Sequence, residues 1–260
     1  MPGETEYTRK ELMAVAASRE IRDGEIAFIG TGLPMLGGML AKATHAPNAI
    51  LIFESGVIDA RPQRTPLSIG DACLVPGAAM LCGLTEVFGL LLQPGYVDVG
   101  FIGAAQIDRF GNLNTTVIGD YHHPKVRLPG SGGGNDIGSL ANRFIVMMAQ
   151  DVRKFVPKVD YITTPGFLEG PGGRERAGLP RGGPAAVITN LGIFRFDDRT
   201  KEMVLDSYHP GVGVEEIRRN VAFDLRVSPR VRQTPPPNAE ELGVLRTKCD
   251  PEGIFLGGAE

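Results

Sequence analysis

The feature that most constrains this chain is a succession of short, mainly apolar runs, each of strand length and separated by helical or glycine-rich stretches. Ala49–Phe53 (AILIF) is the clearest, and Glu25–Ile29, Val97–Ile102, Phe144–Met148, Val159–Thr163 and Ala185–Thr189 repeat the pattern. A strand covered by helices on both faces has no polar side, so its sequence runs apolar rather than alternating. The series predicts an α/β fold with an open, mostly parallel sheet flanked by helices.

The stretches between the runs support this reading. Thr8 and Glu11 form a capping box ahead of Leu12, Val15 and Ala16, which predicts an opening helix. Gly30-Thr31-Gly32-Leu33-Pro34 turns the first strand into a second helix carrying Leu36, Met39, Leu40 and Ala43 on one face. Near the end, Ile193–Phe196 and Met203–Leu205 flank the polar Asp197–Glu202, the pattern of a hairpin. Pro235–Pro237 then stiffens the link to a helix starting about Ala239. A single domain over 1–260 is expected, with hairpin and helix as a C-terminal extension over about 190–260.

Composition excludes several function classes. A net charge of −3 with no clustered basic face argues against nucleic-acid binding. The longest apolar tract, Ala27–Ala41, is broken by Gly30, Gly32, Pro34, Gly37 and Gly38 and is too short for a bilayer, so no membrane association is expected. MPGETEYTRKE lacks the basic start and apolar stretch of a secretory signal. Cys73, Cys82 and Cys249 have neither a disulfide framework nor metal-ligand spacing, so a reducing cytoplasm and no bound metal are expected.

Ligands of open α/β sheets bind beyond the carboxyl ends of strands, which singles out Glu54, immediately after AILIF and before Ser55-Gly56. A glutamate after a strand is more often a solvated loop or capping residue, so the position alone decides nothing. Gly130-Ser131-Gly132-Gly133-Gly134-Asn135 is either a flexible connection or a loop whose backbone N–H groups receive an anion or oxyanion. It matches neither phosphate-binding fingerprint. His122 and His123, in Asp120-Tyr121-His122-His123-Pro124, lack a third ligand and read as structural or as supporting a substrate pocket. Gly170–Arg176, with its two guanidinium groups, reads as a surface loop or subunit interface in preference to an anion site. Ser55 lacks the G-x-S-x-G context of a hydrolase nucleophile.

Taken in order, six blocks resemble the β subunits of family I coenzyme A transferases, in the glutaconate branch. They are Gly30–Pro34, Glu54–Gly56, Gly103–Asp108, Ile118–Lys125, Gly130–Gly133 and Gly170–Arg176, spread along nearly the whole chain. The resemblance implies the NagB/RpiA-like sheet of that family and an α subunit as partner, with the active site at their interface and the pairs further assembled. It implies Glu54 as nucleophile, carrying CoA as a glutamyl-CoA thioester between an acyl-CoA and a small carboxylic acid, with CoA as substrate and no permanently bound cofactor. Gly132 and Gly133 become candidate oxyanion donors, and Ser55, Gly56, Gln106, His122 and His123 candidate supporting or substrate residues. Glu54-Ser55-Gly56 departs from the Glu-Asn-Gly of many 3-oxoacid transferases, which tilts the expected substrate toward dicarboxylic acids. CoA-ester hydrolysis, ring opening or decarboxylation on the same scaffold is the alternative chemistry, and a non-catalytic metabolite binder the alternative class.

Overall fold

The structure is a computed structural model that describes residues 6–179 and 181–257. Its packing resolves two compact units, one of residues 1–101 with 235–260 and the other of residues 102–234.

The first unit begins with α1 (Arg9–Ser18), whose capping box forms as the sequence predicts: Thr8 Oγ1 accepts the Glu11 N–H, and the Glu11 carboxylate accepts the Thr8 N–H. Then follow β1 (Ile26–Ile29), α2 (Leu33–Ala43), β2 (Ile50–Phe53), β3 (Val57–Ile58) and β4 (Met80–Leu81). A three-residue α3 (Leu84–Glu86) runs into a π-helical turn, Val87–Leu92, before β5 (Val99–Ile102). The strands order as β5-β1-β2-β3-β4. The first three are parallel, with Ile29 beside Phe53, and β3 and β4 close the edge antiparallel. Burial explains the choice: Ala27, Phe28, Ile29, Leu51, Ile52 and Phe53 are all at most 2% exposed, as two-sided coverage requires. Gly37 lets α2 approach α1, because a Cβ there would sit 2.9 Å from that of Ala17. Leu36 and Leu40 pack with Ala14, Val15 and the C-terminal Leu245 and Cys249.

The second unit starts with two short hairpins, β6 (Gln106–Ile107) with β7 (Leu113–Asn114) and β8 (Val117–Gly119) with β9 (Pro124–Arg127). After α4 (Gly134–Leu140) come β10 (Arg143–Met147), α5 (Gly173–Arg176), β11 (Pro184–Ile188), β12 (Gly192–Phe196), β13 (Met203–Tyr208), α6 (Val214–Arg219) and β14 (Arg226–Gln233). Their order is β14-β13-β12-β11-β10, with β10 parallel to β11, β12 antiparallel to both neighbours, and β14 parallel to β13. The expected hairpin is therefore β12–β13, and the expected final helix is α7 (Ala239–Val244), which belongs to the first unit.

Val159–Thr163 is not a strand. Its backbone donors go elsewhere: the Asp160 N–H to Gln106 Oε1 at 3.1 Å, and the Thr163 N–H to the Leu113 carbonyl at 2.8 Å. Tyr161 and Ile162 stand exposed. Conversely, β14 (RVSPRVRQ) is a strand that no apolar run announces, because it lies at an edge, where arginines and a proline are tolerated.

Candidate active site at the carboxyl end of the second strand

Glu54 follows the last residue of β2 in a tight turn closed by the Gly56 N–H on the Phe53 carbonyl, at 2.9 Å. The turn reverses the chain into β3, and the Gly56 carbonyl accepts the Cys82 N–H at 2.9 Å. Gly56 has φ +97°, and a Cβ there would lie 1.8 Å from the Cys82 carbonyl oxygen, so only glycine fits. The parallel register of Ile29 with Phe53 sets the Gly30-Thr31-Gly32 loop beside this turn.

Two hydroxyls tie the surroundings of Glu54 to the backbone of one residue, Ile69. Ser55 Oγ donates to the Ile69 carbonyl at 2.6 Å, and the Ile69 N–H donates to Thr31 Oγ1 at 3.3 Å. The segment holding Ile69 is itself closed on Asp71, whose carboxylate accepts the Leu67 and Cys73 N–H groups and both terminal nitrogens of Arg64, at 2.8–3.0 Å. The Cys73 and Leu67 N–H groups and the Arg64 guanidinium hold the Asp71 carboxyl well below the usual carboxylate range. Glu54 itself is half-buried, and among the described residues no hydrogen bond or ion pair engages its carboxylate. A carboxylate left without a partner at a strand end keeps its lone pairs available for bond formation.

In the second unit the remaining candidates are placed separately. Gln106 is buried, with Oε1 accepting from Asn114 Nδ2 at 2.7 Å and from the Asp160 N–H, and Nε2 donating to Asp160 Oδ2 at 3.1 Å. His122 and His123 sit exposed at the tip of the β8–β9 hairpin, where Asp120 Oδ1 accepts both backbone N–H groups at 2.8 Å. Gly132 and Gly133 lead into α4, and among the described residues their N–H groups have no acceptor. A cavity of about 590 Å³ in this unit is lined by Asp108, Phe110, Asn112, Lys158, Leu168 and Arg176, with none of Gln106, His122, His123, Gly132 and Gly133 among its walls. Burial raises the Asp108 carboxyl at its floor.

Arg174 departs from the surface role expected of Gly170–Arg176. It is 4% exposed, and its guanidinium donates to the carbonyls of Pro165, Gly166, Gly138, Ser139 and Arg181. Burial pushes its pKa down to about 10. The residues that sequence reasoning missed are Ile69, whose backbone carbonyl meets Ser55, and Asp71 and Arg64, whose side chains close the segment that holds it; no motif marks these contacts. Thr31 lies in a loop that the sequence does mark, but its hydroxyl contact has no sequence signal. Among the described residues no cluster of His, Cys, Asp or Glu could hold a metal, and no helix is long and apolar enough to cross a membrane.

Known proteins resemble this chain along nearly its whole length. The β subunit of 3-oxoadipate CoA-transferase from Pseudomonas knackmussii is 45% identical over 240 residues, covering 92% of each chain. The β subunit of glutaconate CoA-transferase from Acidaminococcus fermentans is 41% identical over 257 residues, 97% of this chain and 96% of that one. The crystal structure of the Acidaminococcus enzyme superposes with a TM-score of 0.92 at 39% identity, covering 98% of this chain and 99% of the other. The family profile for coenzyme A transferase matches residues 10–220, and the chain belongs to that family.

Proposed function

We propose that this chain is the catalytic β subunit of a two-subunit CoA transferase that moves CoA between an acyl-CoA and a dicarboxylic acid, with Glu54 as the nucleophile. The observation that carries the reading is the half-buried, unpartnered carboxylate of Glu54 at the carboxyl end of β2. Two relatives named for diacids, 3-oxoadipate and glutaconate, support the substrate class.

The Glu54 carboxylate attacks the thioester carbonyl of the acyl-CoA, forming a mixed anhydride and releasing CoA thiolate. The thiolate attacks the glutamyl carbonyl of the anhydride, forming glutamyl-CoA thioester and freeing the donor acid. An acceptor carboxylate then attacks the glutamyl thioester, and the returning thiolate takes the new acyl group, restoring Glu54. Each step exchanges one acyl linkage for another, so the thioester energy is conserved. Backbone N–H donors to the oxyanion of the tetrahedral intermediates would contribute roughly 3 kcal/mol each.

The α partner fits the surface chemistry of the first unit. From Thr65 to Tyr96 the only charged residues are Asp71 and Glu86. Asp71 is spent on its own loop, and Glu86 accepts the Gly83 N–H at 3.0 Å. Leu67, Met80, Leu81, Leu84 and Leu90 are each more than half exposed on this stretch. Charge depletion with exposed leucine and methionine is the signature of an interface core rather than of a wetted surface.

The test is CoA exchange between isotopically labelled acids, with the chain co-expressed with its α subunit. Wild type should transfer CoA without net loss of thioester. Glu54→Asp, one methylene shorter, should lose transfer by about a thousandfold or more, and unchanged transfer in that variant would refute the nucleophile assignment. Steady hydrolysis without exchange would favour thioesterase chemistry instead.

A further inference from the structure

We propose that Ser55 and Thr31 are positioning residues that hold the Glu54 turn in its reactive geometry by gripping the backbone N–H and carbonyl of one residue, Ile69. The inference rests on the reading of Glu54 as nucleophile. The Ser55 hydroxyl donates to the Ile69 carbonyl at 2.6 Å, and the Thr31 hydroxyl accepts the Ile69 N–H at 3.3 Å. Thr31 lies in the loop after β1 and Ser55 in the turn after β2, so the Ile69 backbone ties together the exits of two neighbouring parallel strands.

The third segment is made stiff before it is gripped. Asp71 gathers Leu67, Cys73 and Arg64 at 2.8–3.0 Å around Ile69, and Ser68 Oγ accepts the Gly70 N–H at 3.3 Å. Below the turn, Gly56 is locked against Cys82 by the 2.9 Å hydrogen bond and by the lack of room for a Cβ. Glu54 is therefore the one side chain of its turn left to move: Phe53 is buried in the sheet, Ser55 is tied, and Gly56 is wedged.

The chemistry explains why such a grip matters. In one turnover the same carboxyl group attacks a thioester, is attacked by CoA thiolate, is attacked by an acceptor acid, and leaves as a carboxylate when the thiolate takes the new acyl group. A turn that drifts misaligns every one of these steps, and displacement of about 1 Å costs on the order of a hundredfold in rate. A loosened 67–71 segment also opens the glutamyl thioester to water, which turns transfer into hydrolysis.

The experiment compares wild type, Ser55→Ala, Thr31→Val, the double variant and Ser55→Thr, each as the complex with its α subunit. Transfer and hydrolysis rates, KM for acyl-CoA and thermal unfolding are measured together. We expect Ser55→Ala to lower kcat about tenfold or more, with KM within about twofold, a raised ratio of hydrolysis to transfer, and a melting temperature near wild type. Ser55→Thr, which keeps the hydroxyl, should restore the ratio. Because both hydroxyls hold the backbone of one residue, the double variant should lose little more than the worse single variant. Full kcat and an unchanged ratio in Ser55→Ala, or losses that multiply in the double variant, would overturn the proposal. Parallel loss of kcat and melting temperature, unrescued by Ser55→Thr, would also overturn it, since it would mark a purely structural contact. Wild type and Glu54→Asp in the same assay keep the two claims apart: if transfer depends on Glu54 but not on Ser55, only the grip fails.

Discussion

At the scale of single residues, the site depends on what neighbours forbid as much as on what they offer. Gly56→Ala places a Cβ 1.8 Å from the Cys82 carbonyl in a backbone region that L side chains avoid, so β4 must move away from β3. A loss of about 2–4 kcal/mol is expected in denaturant unfolding, with transferase activity falling further than stability alone explains. Arg174→Met takes this donor from five carbonyls, those of Gly138 and Gly166 buried and the other three half-buried, and unfolding of the variant should show a loss of about 3 kcal/mol. Glu54 is legible in the sequence because the AILIF run fixes where a strand ends, and the carboxyl ends of such strands are where open α/β sheets react. The Ile69 grip is not, since it joins residues 14 and 38 positions apart through a main-chain group that every residue carries. Arg174 reads as a surface residue for a related reason: its partners are carbonyls, and a sequence shows no carboxylate to warn that the guanidinium is buried.

At the scale of elements, the loop from Arg64 to Leu74 has a titratable latch. The Asp71 carboxyl is held below its ordinary range by the Cys73 and Leu67 N–H groups and by Arg64. A depressed folded-state value means that the stabilisation is fully present above the ordinary carboxylate pKa of about 4 and is lost as pH falls through the folded value. The gap in melting temperature between wild type and Asp71→Asn should thus be widest above about pH 5 and close on acidification; a gap that widens in acid would contradict this account of the latch. Elements buried on both faces are legible because burial itself writes the continuous pattern, as in β1, β2, β10 and β11. Val159–Thr163 carries the same composition but spends its N–H groups on a side chain and a bridge, and β14 is a strand built from arginines at an edge. Hydropathy registers what a segment buries, whereas these two cases turn on where backbone hydrogen bonds go.

At the scale of the whole molecule, the exposed apolar stretch from Leu67 to Leu90 is where association can be tested without touching Glu54. Leu84→Asp introduces a charge at a position 57% exposed in the chain alone, so the subunit should remain folded by circular dichroism. Its recovery with the α subunit in size-exclusion chromatography should fall at least about tenfold; undiminished co-elution would move the interface elsewhere. The covalent role of Glu54 is tested directly by trapping the acyl-enzyme intermediate. The chain, paired with its α subunit, is incubated with acyl-CoA, trapped with hydroxylamine or borohydride, digested and analysed by mass spectrometry. The account predicts a peptide modified at Glu54 and at no other carboxylate, formed only when acyl-CoA is present. An unmodified Glu54 in an enzyme that is turning over would contradict it.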